Sequence, residues 1–470
     1  MRARVARIPA FVRRVGSLSL GTVTGQALLL LASPFVTRLY SPEEFGTFSA
    51  ALGVATLLAT LCSLSLQSAI PSASTDEEAG DLLWASLLAG VLLAPVAIVV
   101  AAMASTRFGG TTFSVGLWGA TAATAMLIST WGSIRALASR HDRFRSVSVS
   151  SVADSGIQAG GQLTLGQFHT GAFGLSLGYL SGKLASIATL LWGLPIHHLR
   201  PRLPFAAMRR WKRYVLLLTP TSLLNQAAVT SVSVFIAVLY GAGRAGQFAL
   251  ASRMLAVPSA LLGQAVATVF LPKIAKMTRG QTSTAPAVLA VATTLSTVSW
   301  PIFAVTTLLG PEIFTITFGA AWRDAGVAAA ILSPWLALNL VSSPISSVMM
   351  VRDRLRQLLV LGIVEASLRF GSLAAGHGTQ NWQLSLVLYS ASGVAISLFA
   401  IAFVLRLSGA SIGDWIRSIP WHLRTFLAAV TLLAMAKPLV PATPFVVASC
   451  LTCTVGIATA GRSLLTQLKN

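Results

Sequence analysis

Six charged side chains stand where an otherwise apolar chain would be expected to carry none. Asp154, Lys183, Arg253, Glu365 and Arg369 each interrupt a run of mostly apolar residues, and Arg38 closes another at its end. A charge at the centre of a bilayer costs about 2.5 to 3.5 kcal/mol on insertion scales, so each such position is a candidate for function. Bases outnumber acids four to two. That balance suits an anionic cargo, because desolvated phosphate oxygens need guanidinium donors or a fixed ammonium. Arg253, Arg369, Lys183 and Arg38 are thus the candidate substrate-binding residues, and Asp154 and Glu365 the candidate ion-coupling acids. Structural alternatives stand beside most of them. Glu365 and Arg369 have the four-residue spacing of an intrahelical ion pair. Arg38 and Arg253 lie close enough to an interface to snorkel. Lys183 follows Gly174, Gly178 and Gly182, a stripe that lets another helix approach, and its own stem is long enough to snorkel. His141, His197 and His198 fall in loops and receive no role, and no catalytic group, metal site or cofactor is expected.

The elements that must position these charges follow from composition. Across 470 residues, 54% are hydrophobic and only 10% charged, too apolar for an ordinary soluble domain. A spanning helix needs roughly 20 mostly apolar residues. Such runs occur at about 17–39, 45–70, 82–105, 114–138, 147–168, 171–195, 214–240, 247–271, 286–309, 325–350, 358–375, 383–406, 425–441 and 445–461. The expected fold is therefore all-α integral membrane with about 14 transmembrane helices. The first span is too long for a signal-peptide core and no A-x-A-like site follows it, so it is expected to stay. Cys62, Cys450 and Cys453 all fall inside spans and read as small apolar filler.

The net charge of +21 would suggest nucleic acid in a soluble domain. Here it reads as topology. Counted over alternate loops and adjoining helix ends, 26 Lys and Arg lie on one side and 5 on the other. The positive-inside rule then puts both termini in the cytoplasm. The largest basic loop, "HHLRPRLPFAAMRRWKRY", joins the sixth and seventh spans and reads as a topological linker, with lipid headgroups as the alternative.

"RLYSPEEFGTFSA" from Arg38 and "VLYGAGRAGQFAL" from Val238 share Leu-Tyr and Gly-x-Phe at an offset of 200 residues. Aligned without a gap, Gln26–Ala51 and Gln226–Ala251 agree at Gln26, Ala27, Ser33, Phe35, Leu39, Tyr40, Gly46, Phe48 and Ala51. A looser echo pairs "LSLGYLSGKLAS" with "LSLVLYSASGVAIS". Six spans separate the copies, so both run in the same direction. Parallel repeats of this kind are related by an axis along the membrane normal, with transport sites between the halves. The expected divisions are an N-terminal lobe at 1–196, a linker at 197–213, a C-terminal lobe at 214–406 and two further helices with the tail at 407–470. Ser41-Pro42-Glu43-Glu44 carries the signals of a helix start. Pro34, Pro95, Pro220, Pro258, Pro301, Pro334 and Pro344 fall within spans, where each frees backbone groups that a neighbour must satisfy.

"GQALLLLASPFVTRLYSPEEFGTFSA", "STDEEAGDLL", "HDRFRSVSVSSVADSG" and "LYGAGRAGQFALASRMLAVPSALLGQAVATVFLPKIAKM" together resemble the polysaccharide biosynthesis or O-antigen flippase family. That family shares a superfamily with multidrug and toxin extrusion proteins and lipid II flippases. The resemblance implies two six-helix lobes in a V and movement of an undecaprenyl-diphosphate-linked oligosaccharide to the periplasmic leaflet of a bacterial inner membrane. It also implies that Pro34 is a hinge and that the "ASRML" stretch around Arg253 lines the cavity. Membrane lipids, and glycan polymerase or export machinery, would be the partners, with no nucleic acid. Three other classes remain open at this point: an organic-cation extruder of the same fold, which would want an acidic aromatic cavity; a membrane glycosyltransferase or polymerase, which would want a larger outer loop; and a passive scaffold of a glycan assembly complex, which would leave the intramembrane charges unexplained.

Overall fold

The turn between the first two helices is built from its own sequence. Ser41 Oγ accepts the Glu44 amide at 3.2 Å, the Glu44 carboxylate accepts the Ser41 amide at 2.7 Å, and Pro42 occupies the first helical position. This reciprocal cap satisfies two backbone donors that a helix start leaves open. The computed structural model describes residues 10–107, 115–194, 205–280, 282–379 and 381–436, together with 448, 449, 452, 453 and 456.

Twelve long helices occupy the first twelve expected spans. They are α1 (Ala10–Leu39), α2 (Pro42–Cys62), α3 (Asp76–Arg107), α4 (Val115–Arg140), α5 (Phe144–Gln167), α6 (Gly171–Gly193), α7 (Phe205–Tyr240), α8 (Ala242–Arg279), α9 (Ala285–Phe318), α10 (Arg323–Val351), α11 (Leu355–His377) and α12 (Trp382–Ser408). A short α13 (Ile412–Ser418) precedes α14 (Trp421–Ala436), which covers most of the thirteenth span. The fourteenth, 445–461, lies largely outside the described residues, as does Cys450. Among the described residues, α2, α3, α9, α10, α11 and α12 each carry an apolar stretch long enough to cross a membrane unaided. No strand occurs among them.

The chain divides into two compact units, Met1–Ala249 and Leu250–Asn470, with the division inside α8. In the first unit α5 packs along both α1 and α6, and α2 along α7. Leu66 and Ile70, from two 3₁₀ turns after α2, bury against Leu82, Leu137 and Leu190. In the second unit α10 packs along α9 and α12, and Trp415 of α13 sits under Trp300 with ring centroids 6.0 Å apart.

α1 runs unbroken through Pro34. A proline leaves the carbonyl four residues back without its amide, and here Ser33 Oγ donates to that carbonyl, Leu30 O, at 2.6 Å. The two copies of the repeat meet at α2 and the first turns of α8. A Cβ on Gly46 would lie 1.8 Å from the Ala242 carbonyl oxygen, and one on Gly246 would lie 1.9 Å from that of Pro42. Backbones this close admit only glycine. Tyr40 is buried and donates its hydroxyl to the Gln162 carbonyl of α5 at 2.9 Å. The shared Gly thus marks a backbone crossing, and Tyr40 marks an anchor into α5.

At the basic linker's far end, Glu78 gathers α3 and α7. Its carboxylate accepts the Ser74 amide at 2.7 Å and the Trp211 indole N–H at 3.0 Å, and pairs with Arg210 at 3.1 Å. This part of the linker is engaged with protein.

Candidate functional site: caged cations and a hydroxyl-lined cavity

The glycine stripe on α6 decides where Lys183 goes. A Cβ on Gly178 would lie 2.7 Å from the Gln162 amide nitrogen, and one on Gly182 would lie 2.6 Å from the Asp154 carbonyl oxygen. The stripe therefore seats α6 directly on α5, and Lys183 Nζ pairs with Asp154 Oδ2. Lys183 is only 7% exposed. Its ammonium also lies 4.4 Å from the centroid of the Trp131 ring of α4 and 5.1 Å from that of Tyr179. Carboxylate on one side and aromatic faces on others supply what water would have given this cation. Lys183 does not snorkel. Asp154 Oδ1 is buried without a hydrogen-bond partner.

The same set of parts recurs six helices later. Arg369 pairs with Glu365 on α11, its guanidinium carbon 4.5 Å from the Trp335 ring of α10 and 5.7 Å from Tyr389 of α12. Trp335 and Tyr389 meet edge to face at 5.3 Å. An acid from the fifth helix of each repeat, a tryptophan from the fourth and a tyrosine from the sixth thus enclose one cation. Only the cation's origin changes, from α6 to α11. On α12 the residue four past the tyrosine is Gly393, where α6 has Lys183, and a Cβ there would lie 2.4 Å from Trp335 Cδ1. Trp335 Nε1 and Arg369 Nε are buried with no hydrogen-bond partner.

Of the sequence-derived candidates, the structure brings together Lys183 with Asp154, and Arg369 with Glu365. Arg38 is exposed in the last turn of α1, and Arg253 is half-buried on α8. Sequence reasoning missed Arg135. Its guanidinium stacks 5.0 Å from the Trp131 ring centroid. It also missed the four aromatic walls, although the looser repeat held part of the signal, since with one residue of slippage it brings Tyr179 onto Tyr389.

Beside the second cage lies a cavity of about 340 Å³ within α10, α11 and α12. Its lining includes Asn339, Ser342, Ser343, Ser346, Ser347 and Glu365. Three of these hydroxyls donate back into their own helix: Ser342 to Asn339 O at 3.3 Å, Ser346 to Ser342 O at 2.7 Å and Ser347 to Pro344 O at 2.6 Å. With their protons so committed, these three hydroxyls offer the cavity oxygen lone pairs. Such a wall suits a group rich in O–H or N–H donors, and sugar hydroxyls are of that kind.

Residues 35–327 match the family model described as polysaccharide biosynthesis protein. No curated protein matches the chain. Among solved structures, the inward closed conformation of the lipid II flippase MurJ aligns over 95% of this chain and 99% of its own at 14% identity, with a TM-score of 0.71. An inward-facing multidrug resistance MATE family transporter of the MOP superfamily covers 82% of this chain and 94% of its own at 13% identity and a TM-score of 0.58. A MOP superfamily transporter from Pyrococcus furiosus Vc1 covers 84% and 95%, at 13% identity and a TM-score of 0.55. At these identities the likeness is one of fold, and it is shared over nearly the whole chain.

Proposed function

The chain belongs to the polysaccharide biosynthesis protein family, and on that footing we propose that it flips a lipid-diphosphate-linked oligosaccharide from the cytoplasmic to the periplasmic leaflet by alternating access. The observation that carries the proposal is the cavity of serine hydroxyls and one carboxylate inside a bundle of membrane-crossing helices. Several hydroxyls and a carboxylate facing one cavity among such helices suit a polar cargo. In this reading Arg253 and Arg38 bind the diphosphate in passage, after it has left the cytoplasmic surface, and Lys183 and Arg369 do so once their carboxylates let go. Asp154 and Glu365 are the coupling acids, since protonation or cation binding at either would release its caged base. Pro34 is the hinge of α1. The protein is a bacterial inner-membrane transporter with both termini cytoplasmic, not an enzyme, and glycan polymerase or export machinery would take its product.

Proteoliposomes loaded with a fluorescent lipid-diphosphate oligosaccharide test this. The protein should bring the inner-leaflet label within reach of an external quencher, and liposomes whose label stays as protected as in protein-free controls would overturn the proposal. An extruder of organic cations would use an acid among aromatic rings, the chemistry of the two cages. Here each such seat already holds the chain's own Lys183 or Arg369, which favours the flippase.

A further inference from the structure

The second unit contains a groove to which the transport reading has given no task. α11 packs along α12 but meets α10 at few points. Only 6% of its apolar membrane-length stretch is buried, against 44% for α12. Where α11 stands away from α10, a cavity of about 600 Å³ opens over α12. Val360 and Val364 of α11 and Phe399 and Phe403 of α12 form its walls. The two phenylalanine rings stack at 19° with centroids 6.3 Å apart. Among the described residues, its polar lining is Arg356 and Gln357, both in the first turn of α11. Eight residues separate Arg356 from Val364, so the apolar floor continues about 12 Å beyond the guanidinium at 1.5 Å per residue.

A groove apolar along its length and basic at one end fits a long hydrocarbon chain with an anionic end. Two such lipids would be present in the proposed membrane, a phospholipid and the polyprenyl diphosphate carrier of the glycan. Two features favour the carrier. Arginine grips a diphosphate through several oxygens at once, whereas a phosphodiester headgroup offers fewer. The groove also shares Leu361 and Ile396 with the serine-lined cavity. A chain lying in the groove therefore keeps its polar end beside the wall suited to sugar hydroxyls. We propose that the groove between α11 and α12 holds the isoprenoid tail of the lipid-linked substrate, with its diphosphate on Arg356 at the cytoplasmic surface. The tail then stays in lipid-accessible protein surface while the headgroup moves inward. This rests on the flippase reading, whose failure the following experiment separates from its own.

A photo-crosslinking diazirine residue is placed at Phe399 or Val364, and at the exposed Ile316 of α9 as control. The full-length protein is reconstituted in phosphatidylcholine and phosphatidylglycerol vesicles containing a trace of polyprenyl diphosphate, and adducts are identified by mass spectrometry. Polyprenyl adducts at Phe399 and Val364 should exceed the lipid's share of the membrane several-fold, and those at Ile316 should not. Ala395→Leu and the larger Ala395→Trp, which fill the groove, should remove the excess. Arg356→Glu should do the same and Arg356→Lys should retain part of it. Adducts that follow bulk lipid composition at all three positions, or an excess of phosphatidylglycerol, would overturn the assignment. Translocation by the wild type without selective adducts sinks the groove alone. Selective adducts without translocation sink the flippase reading and leave the groove.

Discussion

Lys183 and Asp154 illustrate why a buried ion pair is a liability once broken. With the ammonium almost fully enclosed, removing its carboxylate leaves an uncompensated charge in a low-dielectric site, at about 3 to 5 kcal/mol. Asp154→Ala should therefore lower the thermal midpoint in detergent sharply, while Asp154→Leu combined with Lys183→Met should recover much of the loss. A double variant no more stable than Asp154→Ala would show that the pair does not govern this site's stability. Arg253 behaves differently in the proposed mechanism. Arg253→Ala should abolish glycan export at normal membrane level, and Arg253→Lys should rescue it in part, because an ammonium keeps the charge but loses the planar fork. Complementation of a flippase-null strain by the alanine variant at matched expression would remove Arg253 from the mechanism. What the sequence disclosed here depends on spacing. Glu365 and Arg369 were legible as a pair because four residues are one helical turn. Asp154 and Lys183, 29 apart and on different helices, were not, since spacing within a helix says nothing of the partner across it. Trp131 and Trp335 were invisible for another reason: in an apolar run an aromatic residue looks like filler until a cation is found against it.

Helices were the most legible level, because length and apolarity are set by the bilayer and not by packing. The cap at Ser41 was equally plain, since a capping box is a local signal. α13 was missed even though Ser411 and Asp414 form the same reciprocal cap, with Ser411 N–H donating at 2.8 Å, because seven residues carry too little periodicity. The Ser411 hydroxyl and amide hold the Asp414 carboxyl below the ordinary aspartate range. A depressed carboxylate contributes above its unfolded value, near 3.9, and that contribution fades as pH falls through the folded one. Amide exchange over 412–418 should therefore be unchanged between pH 7 and 5 after correction for intrinsic rates, and Asp414→Asn should raise it throughout; equal protection in the variant would dismiss the cap. At the α2–α8 crossing the expectation is steric. Gly246→Val would drive a side chain into the Pro42 carbonyl, forcing the backbones apart and lowering both thermal stability and transport. A valine variant with wild-type stability would mean that the helices separate without cost.

For the molecule as a whole, the sequence supplied the class and the repeat, and the positive-inside count adds an expected direction for each span. It could not supply the grooves and cavities of the second unit, which depend on how far α11 stands from α10. Topology is the most direct check on the chain as read: reporters after Gly243 and Ala320 should be periplasmic, and those after Arg210 and Arg356 cytoplasmic. A cytoplasmic report from Gly243 would reverse the assignment and with it the side from which Arg356 meets lipid. The contact between Gly46 and Gly246 has a further consequence. A residue touching its own counterpart is the mark of a self-complementary interface, the kind by which two identical subunits pair across a twofold axis. Two copies of an ancestral half-length chain would have met at this glycine, and fusing their genes would have preserved the meeting point inside a single polypeptide. After such a fusion the two positions could mutate separately, but neither could change without the other feeling it. In descendants of that fusion, glycine at 46 and glycine at 246 should therefore be kept or lost together.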